Sequence, residues 1–300
     1  MSSLLRSLLF VPGDSERKQA KAVASSADAL ILDLEDSVAE SQLPAARARV
    51  RDLLCSRPRE QLWVRVHSLS SGLLLEDLVA VFPGAPDGLL LPKVSSPAEV
   101  VQIDRELAAL EAKDGRAVGA TKLIVIATET AQAVLNLPTF AAVLAAAPSA
   151  LARVAALTWG VEDLSAALGA SGKFDAAGQL TFTLQLTRSM CLLAASASGV
   201  QAIDGVYVNF RDAQGLHREA ADARRDGFTG KLAIHPDQVE AINAAFSPTE
   251  EELARARRIV AAFAASPEAG VLNLEGEMID RPHLLQARRL LSLAARSGAR

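Results

Sequence analysis

The 300-residue sequence predicts an α/β fold, a (β/α)₈ TIM barrel over residues 1–246 followed by a C-terminal helical extension, a candidate lid, over 247–300. Three observations carry this. Short apolar runs bounded by turn residues recur along the chain, and a segment with helical periodicity follows each, the signature of parallel strands joined by crossover helices. The runs number about eight, the count that closes a barrel. No GxGxxG follows the first run, as an open dinucleotide-binding sheet would require.

In order, the expected strands are SLLFVP (7–12), ALILDL (29–34), LWVRV (62–66), GLLLPK (88–93), KLIVIA (122–127), VAALTW (154–159), DGVYVN (204–209) and KLAIHP (231–236). Between them SERKQAKAVASS, PAARARVRDLLC, PAEVVQIDRELAALEA and DQVEAINAAF space their apolar residues three and four apart, as amphipathic helices do. Two open with proline, which a first helical turn tolerates. Beyond the eighth unit the sequence predicts a helix over 249–265, a turn-rich NLEGEMIDRP with Gly276 as a hinge and Pro282 as a stop, and a last helix over 283–297.

A formal net charge of -4 from 31 basic and 35 acidic residues provides no extended basic field for a nucleic-acid backbone. Basic runs at 47–51 and 255–258 have apolar partners at helical spacing and read as solvated helix faces. The N-terminal apolar run is short for a signal peptide and no stretch of 18 apolar residues occurs, so a cytoplasmic protein without membrane association is expected. Cys55 and Cys191 lie far apart in apolar helical stretches and read as reduced core thiols. GASGKFDAAG (169–178) lacks phosphate-loop spacing and reads as an ordinary loop.

Barrel enzymes build their sites at the C-terminal ends of the strands, so the residues ending each run matter most. Asp33, Glu35 and Asp36 follow the second run, Arg65 ends the third, Lys93 the fourth, and Glu129 the fifth. Glu162 and Asp163 follow the sixth, Asn209 and Arg211 the seventh, and His235 the eighth. Gathering so many carboxylates at one rim costs several kcal/mol each unless cations neutralise them, and Arg65 with Lys93 are too few. A divalent metal closes the deficit. All-oxygen donors without a Cys/His cluster favour Mg²⁺ or Mn²⁺ over zinc, and one Glu and one Asp from adjacent strands suffice for Mg²⁺. Plainer roles exist for each: Asp163 as a helix N-cap, Arg65 as the partner of Asp33 or Glu35, Lys93 as a surface charge, and His235 in a structural hydrogen bond.

The ordered segments RSLLFVPGDSERKQAKA, ILDLEDSV, WVRVHS, LLPKVSSPAEV, TETAQAVLNL, WGVEDLSAALG, GFTGKLAIHPDQVEAINAAFSPT and GEMIDRPHL resemble the citrate lyase β-subunit family. That family includes citryl-, malyl- and citramalyl-CoA lyases and lies within the HpcH/HpaI aldolase superfamily. The resemblance covers nearly the whole chain. It implies a Mg²⁺-dependent carbon–carbon lyase cleaving a β-hydroxyacyl-CoA to acetyl-CoA and a 2-keto acid, with Glu129 and Asp163 as metal ligands. Arg65 is then the arginine for the keto-acid carboxylate and the developing oxyanion. Asp280 becomes a catalytic carboxylate reaching a neighbouring subunit's site, and Lys93, Asp33, Glu35 and Asp36 become polar groups of the active site.

By the same resemblance, Arg6, the Lys18 region, and Lys231 and His235 of GKLAIHP line the coenzyme A channel, and the chain assembles as a homotrimer or hexamer, or joins a larger lyase complex. Departures at His67, where Asn is common, at Asn209, where Asp is usual, and at Trp159, often Phe, touch the acyl group more than the metal. Two other activities remain open, a class II aldolase acting on free keto acids without coenzyme A and thioester hydrolysis, as does a non-catalytic acyl-CoA-binding subunit.

Overall fold

A computed structural model describes residues 4–297, in which Leu5–Ala245 form one compact unit and the residues from Phe246 onward, with Leu4, form a second. In the first unit eight strands close into a barrel in sequence order: β1 (Ser7–Pro12), β2 (Ala29–Asp33), β3 (Leu62–Arg65), β4 (Gly88–Leu91), β5 (Lys122–Ile126), β6 (Val154–Thr158), β7 (Gln201–Asp204) and β8 (Gly230–Ala233). Neighbouring strands are parallel, and β8 returns to β1 with Ser7 opposite Lys231. The expected (β/α)₈ architecture is therefore the observed one. Among the described residues no helix is long and apolar enough to cross a membrane.

Side chains alternate across each strand, and one set fills the barrel: Leu8, Ala29, Ile31, Trp63, Leu90, Ile124, Ile126, Ala156, Ile203 and Leu232. Trp63 is accommodated because β4 opens with a glycine, where a Cβ would lie 2.2 Å from the indole ring. Continuing the same rows toward the C-terminal ends of the strands brings Phe10, then Asp33 and Arg65, so the filling turns polar at one mouth.

Most expected strands end one to three residues late, but the seventh is displaced: β7 is Gln201–Asp204, and GVYVN lies outside it. GVYVNF alternates apolar residues as a strand would, yet Val208 and Phe210 are exposed and the Phe210 N–H turns back onto the Val208 carbonyl. Asp204, not Asn209 or Arg211, ends the strand. Cys55 is exposed and not a core thiol, whereas Cys191 is buried, its thiol pushed up to about 12 by burial and then by Asp204.

Behind β5 and β6, helix Pro97–Lys113 and helix Pro148–Arg153 are joined by a buried ion network. Arg153, with no exposure, places Nε 2.5 Å from Asp104 and Nη1 and Nη2 2.8 and 2.7 Å from the two oxygens of Glu111. Glu111 also accepts the N–H groups of Gly119 and Thr121, at the entrance to β5. The network fixes the strand that delivers Glu129.

In the second unit, helix Glu250–Ala265 begins in a capping box between Thr249 and Glu252. It packs with helix Arg281–Ser297 around Ala256, Ile259, Phe263, Ile279 and Ala287. The connecting segment, expected as an irregular loop, is a hairpin of β9 (Val271–Leu274) and β10 (Glu277–Asp280). Its two-residue turn, Glu275–Gly276, has positive φ at both positions (54° and 90°), the geometry that matches the twist of a tight hairpin. Gly276 thus closes a tight turn, and the last helix begins at Arg281, two residues before the expected 283, with Pro282 inside its first turn.

Burial alone would raise the Glu111 carboxyl, but Arg153 and the two backbone donors hold it down at about 2. A carboxyl depressed in the folded state stabilises above its ordinary value, and that contribution is lost as pH falls from there toward 2. The melting temperature of the protein is accordingly expected to fall more steeply below about pH 4.5 than that of Glu111→Gln, whose side chain does not titrate. Parallel acid profiles, measured by circular dichroism, would contradict this.

Candidate active site at the barrel mouth

Asp33 ends β2 facing inward, 1% exposed. Its two oxygens take the Glu35 and Ser37 N–H groups at 3.0 and 3.1 Å, which turns the chain sharply after the strand. The same oxygens receive Arg65 from the end of β3 in a two-pronged contact, Nε at 2.6 Å and Nη2 at 2.7 Å. Burial opposes ionisation of Asp33, but the guanidinium outweighs it and holds the carboxyl below its usual range. Arg65 lies over the Phe10 ring, 4.8 Å from its centroid, and its Nη1 meets Asp36 at 3.0 Å and Glu35 Oε2 at 3.2 Å.

Lys93 follows β4 with a left-handed backbone, φ 54°, unusual for a residue with a side chain. That conformation aims its N–H at Glu129 Oε2. Its ammonium meanwhile reaches Glu35 at 2.5 Å, Asp36 at 3.2 Å and Asp163 at 3.7 Å. Both cations are raised above their ordinary values, because these contacts outweigh their own burial.

Glu129 follows β5 and is 3% exposed. Gly160, following β6, leaves it room, since a Cβ there would lie 2.7 Å from Glu129 Cγ, and the Gly160 N–H is held by Thr128 Oγ1 at 3.0 Å. Asp163 is the third residue of helix Val161–Ala167, whose N-cap is Gly160, so it is not the cap that sequence allowed. Glu162 turns aside to pair with Lys173.

Five carboxylates (Asp33, Glu35, Asp36, Glu129 and Asp163) thus share two cations, Arg65 and Lys93. The deficit shows at Glu129, where burial first, and then the charges of Asp163 and Glu35, push the carboxyl up to about 8. Glu35 is raised for the same leading reason, and its buried Oε2 accepts no hydrogen bond. Among the described residues no three His, Cys, Asp or Glu side chains are grouped as a metal cage. Mg²⁺ asks for less, one or two carboxylates with water and substrate oxygens filling the other positions. The donors here, all oxygen and short of positive charge, fit it.

The remaining candidates are dispersed. Arg6 precedes β1 at the opposite, N-terminal end of the barrel, with Nε and Nη2 on Asp28 at 2.9 Å. Lys231 alternates with the inward Leu232 and so points out of the barrel, where its buried ammonium is held by Asp204, Glu219 and the Gly205 carbonyl at 2.7–2.8 Å. Neither is brought to the mouth. Lys18 is exposed on helix Glu16–Val23, which follows β1. His235 follows β8, caps the turn Pro236–Gln238 and stacks on Phe210. Asp280 ends β10 in the second unit, with Oδ1 2.6 Å from His283 Nδ1. Sequence reasoning did not single out Gly160 or Thr128; the glycine directly after an apolar strand was the available signal.

A family model described as HpcH/HpaI aldolase/citrate lyase matches residues 6–236. The chain is 36% identical over 300 residues to the human mitochondrial citramalyl-CoA lyase, covering 96% of this chain and 85% of that protein. It is 34% identical over 293 residues to a (3S)-malyl-CoA thioesterase of Cereibacter sphaeroides, covering 96% and 94%. The crystal structure of CitE from Mycobacterium tuberculosis in complex with magnesium, acetoacetate and coenzyme A aligns with a TM-score of 0.76 at 35% identity, over 97% of this chain and 98% of that one. Barrel, mouth and sequence agree, and the chain belongs to the HpcH/HpaI aldolase/citrate lyase family.

Proposed function

We propose that this protein is a Mg²⁺-dependent lyase that cleaves a β-hydroxyacyl-CoA of the citryl, malyl or citramalyl type into acetyl-CoA and a 2-keto acid. The observation that carries the proposal is Glu129, a buried carboxyl pushed up to about 8 beside Asp163 in a cluster short of positive charge. Such a group is costly to a fold and useful to a cation. The magnesium and coenzyme A in the related CitE structure, and the citramalyl-CoA lyase among the relatives, support the same reading.

Glu129 and Asp163 would hold the ion, which when bound supplies Lewis-acid charge to the substrate's oxygens. Arg65, locked by Asp33 and Phe10, presents a fixed positive charge to the substrate carboxylate and to oxygen that gains charge as the carbon–carbon bond breaks. A preorganised donor of this kind contributes roughly 3–4 kcal/mol. Lys93 keeps Glu35 and Asp36 neutralised beside it and faces Asp163.

Lys18 and His235 follow neighbouring strands on the mouth side, which suits an entering coenzyme A chain. Arg6 and Lys231, committed elsewhere, take no part. Asp280 acts as the acid that protonates the acetyl carbon, in the site of a neighbouring copy of a trimer or hexamer, a role carried by the family resemblance.

Incubation with citryl-, malyl- and citramalyl-CoA is expected to release acetyl-CoA and keto acid from one of them, with activity removed by EDTA and restored by Mg²⁺. Full-rate cleavage without metal would sink the proposal, and free coenzyme A with intact hydroxy acid would make the enzyme a thioesterase, as one relative is named.

Glu129→Gln is expected to lose at least about 100-fold in kcat. A carboxyl raised in the folded state contributes stability that is present below its ordinary value and lost as pH rises toward about 8. The metal-free variant is therefore expected to melt above the metal-free wild type at pH 8; a variant that does not fold would show that Glu129 serves structure.

Arg65→Lys keeps the charge but not the two-pronged grip on Asp33, and a fall of about 100-fold in kcat/KM is expected. Unchanged kinetics would remove Arg65 from the reaction.

A further inference from the structure

His67 lies two residues beyond Arg65, on the segment that leaves β3 at the mouth. The chain stays anchored there, because the Val66 N–H donates to the Leu90 carbonyl. His67 Nδ1 is 2.7 Å from Asp77 Oδ2, and its backbone N–H donates to the same oxygen at 2.8 Å. Asp77 has no exposure, and its other oxygen takes Arg47 Nε at 2.8 Å, with Arg47 Nη1 on Glu76 at 2.6 Å. A buried carboxylate therefore fixes the ring. The His67 side chain retains 13% exposure, and Nε2 has no hydrogen-bond partner among the described residues and is not among the sealed polar atoms.

Fastening this segment to helix Leu74–Val81 needs only the backbone N–H contact, which any residue but proline supplies. The imidazole adds something else. With Nδ1–H given to Asp77, Nε2 carries the lone pair, which is how a carboxylate prepares a histidine to accept a proton. Nothing in the reaction proposed above accepts the proton of the substrate's hydroxyl, and His67 offers an acceptor two residues along the chain from Arg65.

We propose that His67 is a further catalytic residue, the base that takes the β-hydroxyl proton of the substrate at Nε2. The inference rests on the lyase reading. The O–H bond breaks with its proton passing to Nε2, and the freed oxygen pair becomes the carbonyl of the 2-keto acid. The electron pair of the breaking carbon–carbon bond passes into the enolate of the acetyl thioester, whose carbon takes one proton from the acid assigned above. The imidazolium then returns its proton to water, which restores that acid, so no net proton is gained or lost.

His67→Ala in the full-length protein, assayed on the thioester that the wild type cleaves, is expected to lose about 100-fold or more in kcat with KM little changed. Added imidazole should restore part of that loss saturably, as it would not for a residue that only packs. His67→Gln, which keeps the backbone contact but exchanges no proton, is expected to lose as much and carries the test should the alanine variant not fold. Wild-type kcat in either folded variant, or a loss in His67→Ala that imidazole leaves untouched, overturns the inference. Wild-type protein that cleaves none of the thioesters brings down the lyase reading and this inference with it, whereas cleavage that survives in the variants brings down only the inference.

Discussion

Arg65 and Asp33 form the contact around which the mouth of the barrel is arranged. Two parallel hydrogen bonds fix a guanidinium that Phe10 supports from below, while the carboxylate also gathers the N–H groups of the turn after β2. That turn sets Glu35 and Asp36 against Arg65 and Lys93, and Lys93 in turn meets Glu129 and Asp163. Loosening the first pair would free two loops together. In a low-dielectric mouth, such fixed charges act without reorganising during the reaction.

The surroundings are built to hold this unfavourable cluster in place. Trp63 fills the barrel above the glycine that opens β4, and the Arg153 network ties two helices to the entrance of β5. Arg153 is one cation between Asp104 and Glu111, but Glu111 also takes the Gly119 and Thr121 N–H groups, in contrast to the mouth, where the buried Oε2 of Glu35 accepts no hydrogen bond. A barrel that is rigid behind the strands, where Arg153 and its partners are fully hydrogen-bonded, tolerates unsatisfied charge at their ends, which is where ligands are met.

Much of this was legible in the sequence because barrel strands are short, apolar and regularly spaced, and because their last residues face the site. Glu129, Asp163, Arg65 and Lys93 were found by that rule alone. The seventh strand was misplaced because GVYVNF alternates like a strand while Val208 and Phe210 face solvent. Arg6 and Lys231 went astray for a different reason: proximity in sequence to a strand does not say which end or which side of the barrel a side chain occupies. The hairpin turn at Glu275–Gly276 was written in the glycine, but the segment was read as an irregular loop. The His67–Asp77 pair joins a strand end to the following helix, a contact that no local periodicity records.

The left-handed backbone of Lys93 gives one residue two separable functions. Its amide serves Glu129 and depends only on φ, whereas its ammonium serves Glu35, Asp36 and Asp163 and depends only on the side chain. Glycine adopts this φ without the roughly 1–2 kcal/mol that a side chain costs there. A lineage replacing Lys93 by glycine would keep the amide and relieve the strain while giving up the charge. Lysine at this position therefore trades ease of the backbone for cationic balance among the carboxylates of the mouth.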